Sequence, residues 1–169
     1  MARKIDPLNK KNYTAVTAAL CVADIKAAAN FYQKAFGFTK KSSMNGPDGK
    51  PIHVELTLRG TSLMLGPEMP QMGARGAKAL GASPTTLYIL VENADKVFDK
   101  AVKLGATAIM PVADMFWGDR CGRLQDPEGY VWYVATHQAE PTPAKMKKAM
   151  MEDMKKWKER QEAANAANA

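Results

Sequence analysis

The sequence predicts one α+β domain built from two successive β-α-β-β-β modules, and three observations carry that prediction. The chain has 169 residues, 46% apolar and 24% charged, an ordinary globular composition at a length that supports one domain with a sizeable core. A pattern of apolar strand, capped helix and glycine stop occurs twice, at an offset of about 69 residues. A stretch rich in Gly, Pro, Ala and Met, residues 67–84, separates the two copies.

Taken in order, residues 15–23 form a short apolar run that suits a strand. Asp24 then stands where a helix N-cap belongs. Ile25, Ala28, Phe31, Tyr32, Ala35 and Phe36 follow at helical spacing, and Gly37 ends the helix. Residues 38–44 suit a second strand, and 45–51 form a turn cluster. Residues 52–66 alternate on either side of an Arg-Gly-Thr break, which predicts two further strands.

After the connector, the apolar run 85–91 restarts the pattern, with Glu92-Asn93-Ala94 in the place of Ala23-Asp24-Ile25. A helix ends at Gly105 and residues 106–112 are strand-like. Two last strands, 116–125 and 130–137, are joined by Asp126-Pro127-Glu128-Gly129, in which Pro and Gly occupy the turn positions that favour them. The resulting organisation is an N-terminal extension at 1–12, a first module at 13–66, the connector at 67–84, a second module at 85–138 and a helical tail at 139–169.

The net charge of +7 is uneven. Between Lys145 and Arg160 seven basic residues oppose three acids, so much of the excess sits on the tail and the body is only mildly basic. The tail helix carries Met146, Met150, Met154 and Trp157 on one stripe, expected to pack on the body or on a second subunit. No nucleic-acid-binding motif accompanies the lysines, so nucleic acid is not an expected partner. The charged N-terminus lacks the apolar stretch of a signal peptide and no apolar run approaches a membrane span, which gives the expectation of a cytoplasmic protein without membrane contact. Cys21 and Cys121 lie in separate strands without clustered spacing, arguing against a disulfide or a thiolate metal site.

Two β-α-β-β-β units, the second ending in the run Phe116–His137 with its GRLQDPEGYVW segment, resemble the vicinal-oxygen-chelate superfamily, which includes glyoxalase I, extradiol dioxygenases and bleomycin-resistance proteins. The run looks most like the subgroup labelled PhnB-like, and the resemblance spans about Tyr13 to His137. It implies a cup-shaped sheet that holds a ligand, and a homodimer. In metal-dependent members four ligands, usually His and Glu, project into the cup from equivalent strands. Carried over residue by residue, those positions fall on Thr17, Glu55, Thr86 and Tyr133, of which only Glu55 is an ordinary metal ligand. A catalytic divalent site ordinarily keeps three ligands of His, Cys or carboxylate type. The expectation is therefore no metal and no cofactor.

Glu55 shares a strand face with His53 and Thr57, and a carboxylate inside a cup implies a ligand contact, acid–base work or an internal ion pair. His53 can share a proton with it, bind an anion, or sit at the rim. Thr17, Thr86 and Tyr133 offer hydroxyls for binding or ordinary strand packing, and Tyr133 can serve as an acid beside Glu55. Phe116, Trp117, Asp119 and Arg120 precede the last hairpin. Either the aromatic pair Phe116 and Trp117, beside the acid Asp119 and the base Arg120, closes over a flat ligand, or Asp119 and Arg120 pin the loop. His137, at the end of the last strand, reads as a solvent-side or interface residue. The leading expectation is a metal-independent small-molecule binding protein. The alternatives are a lyase or isomerase with Glu55 as general base and Tyr133 as acid, or a metal held by His53, Glu55 and water.

Overall fold

A computed structural model describes residues 7–9 and 11–167. The first module comprises β1 (Ala18–Val22), α1 (Ile25–Phe36), β2 (Thr39–Asn45), β3 (Pro51–Leu58) and β4 (Thr61–Pro67). After a 3-10 turn at Pro70–Met72 and a short helix α2 (Ala77–Leu80), the second module repeats the plan. It comprises β5 (Thr86–Leu90), α3 (Ala94–Lys103), β6 (Thr107–Asp114), β7 (Asp119–Gln125) and β8 (Val131–His137). A terminal helix α4 spans Pro143–Ala167.

Both long module helices start and stop by local chemistry. The Asp24 carboxylate accepts from the Ala27 amide at 2.9 Å, and Asn93 does the same for Lys96 at 2.9 Å. Gly37 closes α1 in the left-handed region at φ +81°. Each module forms a four-stranded sheet with the first strand parallel to the last, in the orders β1-β4-β3-β2 and β5-β8-β7-β6. Val54, Leu56, Leu63 and Leu65 point to the helices and join the core. Strand alternation therefore puts His53, Glu55, Thr57, Ser62 and Met64 on the opposite, inner face.

The modules are joined through the helix side of the sheets. Trp132 of β8 packs against Phe36 and Tyr32 of α1, with ring centroids 4.8 Å and 5.4 Å apart. Buried Asp126 accepts hydrogen bonds from Tyr32 Oη (2.7 Å), Trp132 Nε1 (2.8 Å) and the Tyr130 and Glu128 amides (2.9 Å each). Glu128 accepts from the Ala23 amide, and Tyr130 Oη donates to the Cys21 carbonyl. The Asp-Pro-Glu-Gly turn is thus more than a hairpin connection, since its side chains tie the second module to the end of β1.

β1 and β5 each pair with one strand only and flank a seam cavity of about 380 Å³ lined by Ala18, Leu63, Leu87 and Ile89 among others. The connector, read as a bare crossing, is more ordered than expected. Ala77 is buried, and Gly76 lies so close to the Cys21 carbonyl that a Cβ would collide with it. Both cysteines are free, Cys121 being buried. Among the described residues no helix is long and apolar enough to cross a membrane.

Of the tail stripe, expected to pack on the body or on a second subunit, Met146 is half-buried in the single chain. Met150 and Met154 are exposed on α4, and Trp157 lies outside the described side chains.

Candidate functional site

Glu55 is 3% exposed on the inner face of β3, and its carboxylate is fully engaged. Lys41 Nζ lies 2.8 Å and Ser62 Oγ 2.7 Å from Oε1, while Tyr13 Oη donates to Oε2 at 3.1 Å and Ser42 Oγ lies at 3.4 Å. Lys41 reaches this position because a bulge between Lys40 and Ser42 leaves it without a cross-strand partner. Its ammonium also lies 4.1 Å from the Tyr13 ring centroid, and it donates to the Asn12 carbonyl. Asn12 and Tyr13 are therefore held against the inner face of the first sheet. Burial pushes the Glu55 carboxyl up, but the hydrogen bonds from Lys41, Ser62 and Tyr13 and the lysine charge outweigh it and hold the group below the usual range. A stable carboxylate with both oxygens occupied is a poor proton acceptor.

The inner face of the second sheet is built differently. Tyr88 of β5 stacks on Tyr133 of β8 with centroids 5.6 Å apart and planes at 27°. Tyr88 Oη then donates to Asp119 Oδ2 on β7, two strands away, across the small Ala135 of β8. Trp117 Nε1 donates to the same oxygen at 3.1 Å, and His137 Nδ1 hydrogen-bonds Asp119 Oδ1 at 2.7 Å. Burial would raise the Asp119 carboxyl, but hydrogen bonds from Tyr88, His137 and Trp117 hold it below its usual value. The bond to Asp119 raises His137, and burial together with Asp119 pushes Tyr88 up to about 12. The result is an ionised acid orienting a half-exposed imidazole, an arrangement suited to proton transfer or ligand hydrogen bonding.

Of the residues expected at the site, the structure places Glu55, His53 and Thr86 on inner faces, with Thr17 just before β1 and Trp117 in the turn beside Asp119. It does not bring Glu55 and Tyr133 together as a base–acid pair. Tyr133 stacks on Tyr88 in the other sheet, and the phenol that reaches Glu55 is Tyr13. Arg120 requires correction as a ligand contact. It faces the helices, where it forms a bidentate pair with Asp95 of α3 at 2.7 Å and a third bond to Asp114 at 3.0 Å. Strand alternation contained that answer, because adjacent Asp119 and Arg120 must face opposite sides. His137 and Tyr88 were missed as partners of Asp119, and Lys41 and Tyr13 as partners of Glu55.

The glyoxalase/bleomycin resistance protein/dioxygenase superfamily model matches residues 14–134, well over half of the chain. The chain belongs to this superfamily. An uncharacterised Mycobacterium tuberculosis protein, Rv0887c, is 38% identical over 121 residues, covering 70% of this chain and 71% of that protein. TioX from Micromonospora sp. ML1 superposes with a TM-score of 0.60 at 22% identity, covering 73% of this chain and 98% of TioX. A gene product of Arabidopsis thaliana reaches 0.60 at 26% identity, covering 72% and 98% of the two chains.

Membership in the glyoxalase superfamily raises the question of its metal. The internal repeat corrects one of the four positions. Tyr88 pairs with Tyr133 in the second sheet as Ala19 pairs with Met64 in the first, so the counterpart of Tyr133 is Met64 on β4 rather than Glu55 on β3. Glu55, opposite Met64, corresponds to Arg123, opposite Tyr133. The donor set becomes Thr17, Met64, Thr86 and Tyr133, two hydroxyls, a thioether and a phenol, which does not fit a hard or borderline divalent ion. Glu55 with His53 offers no substitute, because Lys41, Ser62 and Tyr13 already hold both Glu55 oxygens. Among the described residues no three His, Cys, Asp or Glu side chains converge as a metal site.

Proposed function

We propose that this superfamily member is a metal-independent small-molecule binding protein whose ligand lies in the cup against the second sheet. The observation that carries this reading is the Tyr88–Tyr133 stack, with Tyr88 48% exposed, on the inner face of the second sheet. Trp117 flanks it, and Thr86 lies two residues before Tyr88 on the same face. Glu55 acts here as an internal ion-pair partner that shapes the first half of the cup, not as a ligand group.

The test is a thermal-shift screen of small aromatic compounds against the intact chain, since a ligand bound to the native state raises its apparent stability. Hits should lose their shift in Tyr88→Ala and Tyr133→Ala. Shifts that persist in both variants would place the ligand elsewhere.

A second reading, a lyase or isomerase, is favoured by the Asp119–His137 pair rather than by Glu55. In that reading Asp119 fixes the imidazole and His137 Nε2 takes the proton. An activity abolished by His137→Ala and retained by Glu55→Gln supports it, and the reverse pattern refutes it. The PhnB-like placement and the homodimer belong to the same proposal. β2 is exposed along all seven residues, and Met44, Ile52 and Ile109 leave apolar surface near the edges of the sheets. Light scattering on the full chain decides the dimer.

A further inference from the structure

We infer that the ligand is a planar organic anion, an aromatic carboxylate in chemical class, anchored by Arg123. The inference rests on the reading that the cup of the second sheet is the binding site. Arg123 lies on the inner face of β7, directly opposite Tyr133, with its guanidinium carbon 5.6 Å from the Tyr133 ring centroid. Its Nε is buried and has no hydrogen-bond partner, and the side chain makes no ion pair among the described residues. The guanidinium lies over the Tyr133 face opposite Tyr88, yet that contact gives its N–H groups no acceptor, and buried donors are nearly always satisfied in native proteins, so the orphaned Nε points to an acceptor from outside the fold.

The neighbours explain why the fold supplies none. Opposite Arg123 on β6 is Met110, and opposite it on β8 is Tyr133. Along β7 on the same face are Cys121, whose thiol burial keeps neutral, and Gln125, whose amide donates to the Gly129 carbonyl. The acid farther along that face, Asp119, is engaged by Tyr88, Trp117 and His137. The first module shows the contrast. At the equivalent position Glu55 has a dedicated counter-ion, Lys41 at 2.8 Å, delivered by a bulge made for that contact. One charge of the pseudo-symmetric pair is neutralised within the chain and the other is left for a ligand.

The chemistry selects the class. A guanidinium presents parallel N–H donors that match a carboxylate better than any neutral acceptor, and the half-exposed Tyr88 at the other end of the row offers aromatic surface to a flat group. A flat ligand laid across the cup-side edges of Tyr88 and Tyr133, which stand in a row with Arg123 on β5, β8 and β7, directs an acidic substituent toward Arg123.

The decisive experiment compares 2-naphthoate with its neutral isostere 2-naphthamide, titrated calorimetrically against the full chain, Arg123→Gln, Arg123→Lys and Tyr88→Ala. The wild-type protein is expected to bind the naphthoate about tenfold more tightly than the amide. Arg123→Gln removes that preference and leaves amide binding within about twofold, Arg123→Lys keeps part of it, and Tyr88→Ala weakens both compounds. If Tyr88→Ala weakens both compounds but the wild type does not prefer the anion, or Arg123→Gln leaves the preference intact, the anion inference is overturned and the cup survives. If neither Tyr88→Ala nor Arg123→Gln changes either affinity, both fail. Should Arg123→Gln not fold, Arg123→Lys decides alone, because an unchanged preference for the naphthoate would mean that the guanidinium fork does not hold the carboxylate.

Discussion

Replacing Lys41 by Met isolates the ion pair at Glu55, and its consequence can be worked out from the burial of the two ends. Glu55 is 3% exposed, whereas the Lys41 side chain retains 30% exposure. Removing one partner of a fully buried pair costs about 3–5 kcal/mol, while exposed pairs contribute about 0–1 kcal/mol. This pair is buried at its acidic end, and Ser62, Tyr13 and Ser42 still contact the carboxylate in the variant, so an intermediate loss of about 2–3 kcal/mol is expected at neutral pH. For a chain of this size that lowers Tm by about 4–12 °C. The pH dependence follows from the direction of the shift. Glu55 in the folded wild type titrates below its unfolded value of about 4.3, so its contribution is fully present above that pH and disappears as pH falls through the folded value. In Lys41→Met, burial is opposed only by hydroxyls and the carboxyl moves up, so acidification relieves the stranded charge and the gap to wild type narrows toward pH 4. The double variant Lys41→Met/Glu55→Gln removes the stranded charge and recovers most of the loss. Urea unfolding of the four proteins at pH 7 and pH 4.5 measures the coupling. A Lys41→Met protein within about 0.5 kcal/mol of wild type at pH 7, or strict additivity in the cycle, refutes the assignment of Glu55 as an internal partner.

Three further outcomes test other parts of the structure. His137 should titrate above its ordinary value of about 6.5 when its ring protons are followed by NMR, and Asp119→Asn should bring it back; with only two histidines in the chain, His53→Ala settles the resonance assignment. Because the folded value is raised, the stabilisation from this pair is present below the unfolded value and fades as pH rises through the folded one, a dependence that Asp119→Asn should abolish. Asp126→Asn places an amide N–H₂ among four hydrogen-bond donors, and chemical denaturation should show a loss of about 1–3 kcal/mol, against no change if the turn is only a connection. Gly122→Ala would put a Cβ 2.8 Å from both Phe98 and Val112, and a thermal melt should register about 1–3 kcal/mol of overpacking; an unaltered Tm would mean α3 shifts freely on β7.

The features legible in the amino-acid sequence are those set by residues close together along the chain. Apolar alternation and helical spacing, the side chains of Asp24 and Asn93 at their N-caps, Gly37 and Gly105 as stops, and the Asp-Pro-Glu-Gly turn each act within a few residues. They specify two β-α-β-β-β units, and the repeat identifies the superfamily fold. The inner face of β3 was legible too, because alternation puts His53, Glu55 and Thr57 on one side.

What the tertiary structure decided is who meets whom across strands. The bulge that turns Lys41 onto Glu55 is one extra residue in a ladder, and the reach of Tyr88 over Ala135 to Asp119 depends on the order β5-β8-β7. Likewise, Met64 rather than Glu55 is the counterpart of Tyr133 because register, a property of paired strands, sets the equivalence. Charge balance on the inner faces emerges only at that level. The same chain shows a carboxylate and a guanidinium at matching positions, and only folding reveals that the first has its counter-ion while the second has none among the described residues.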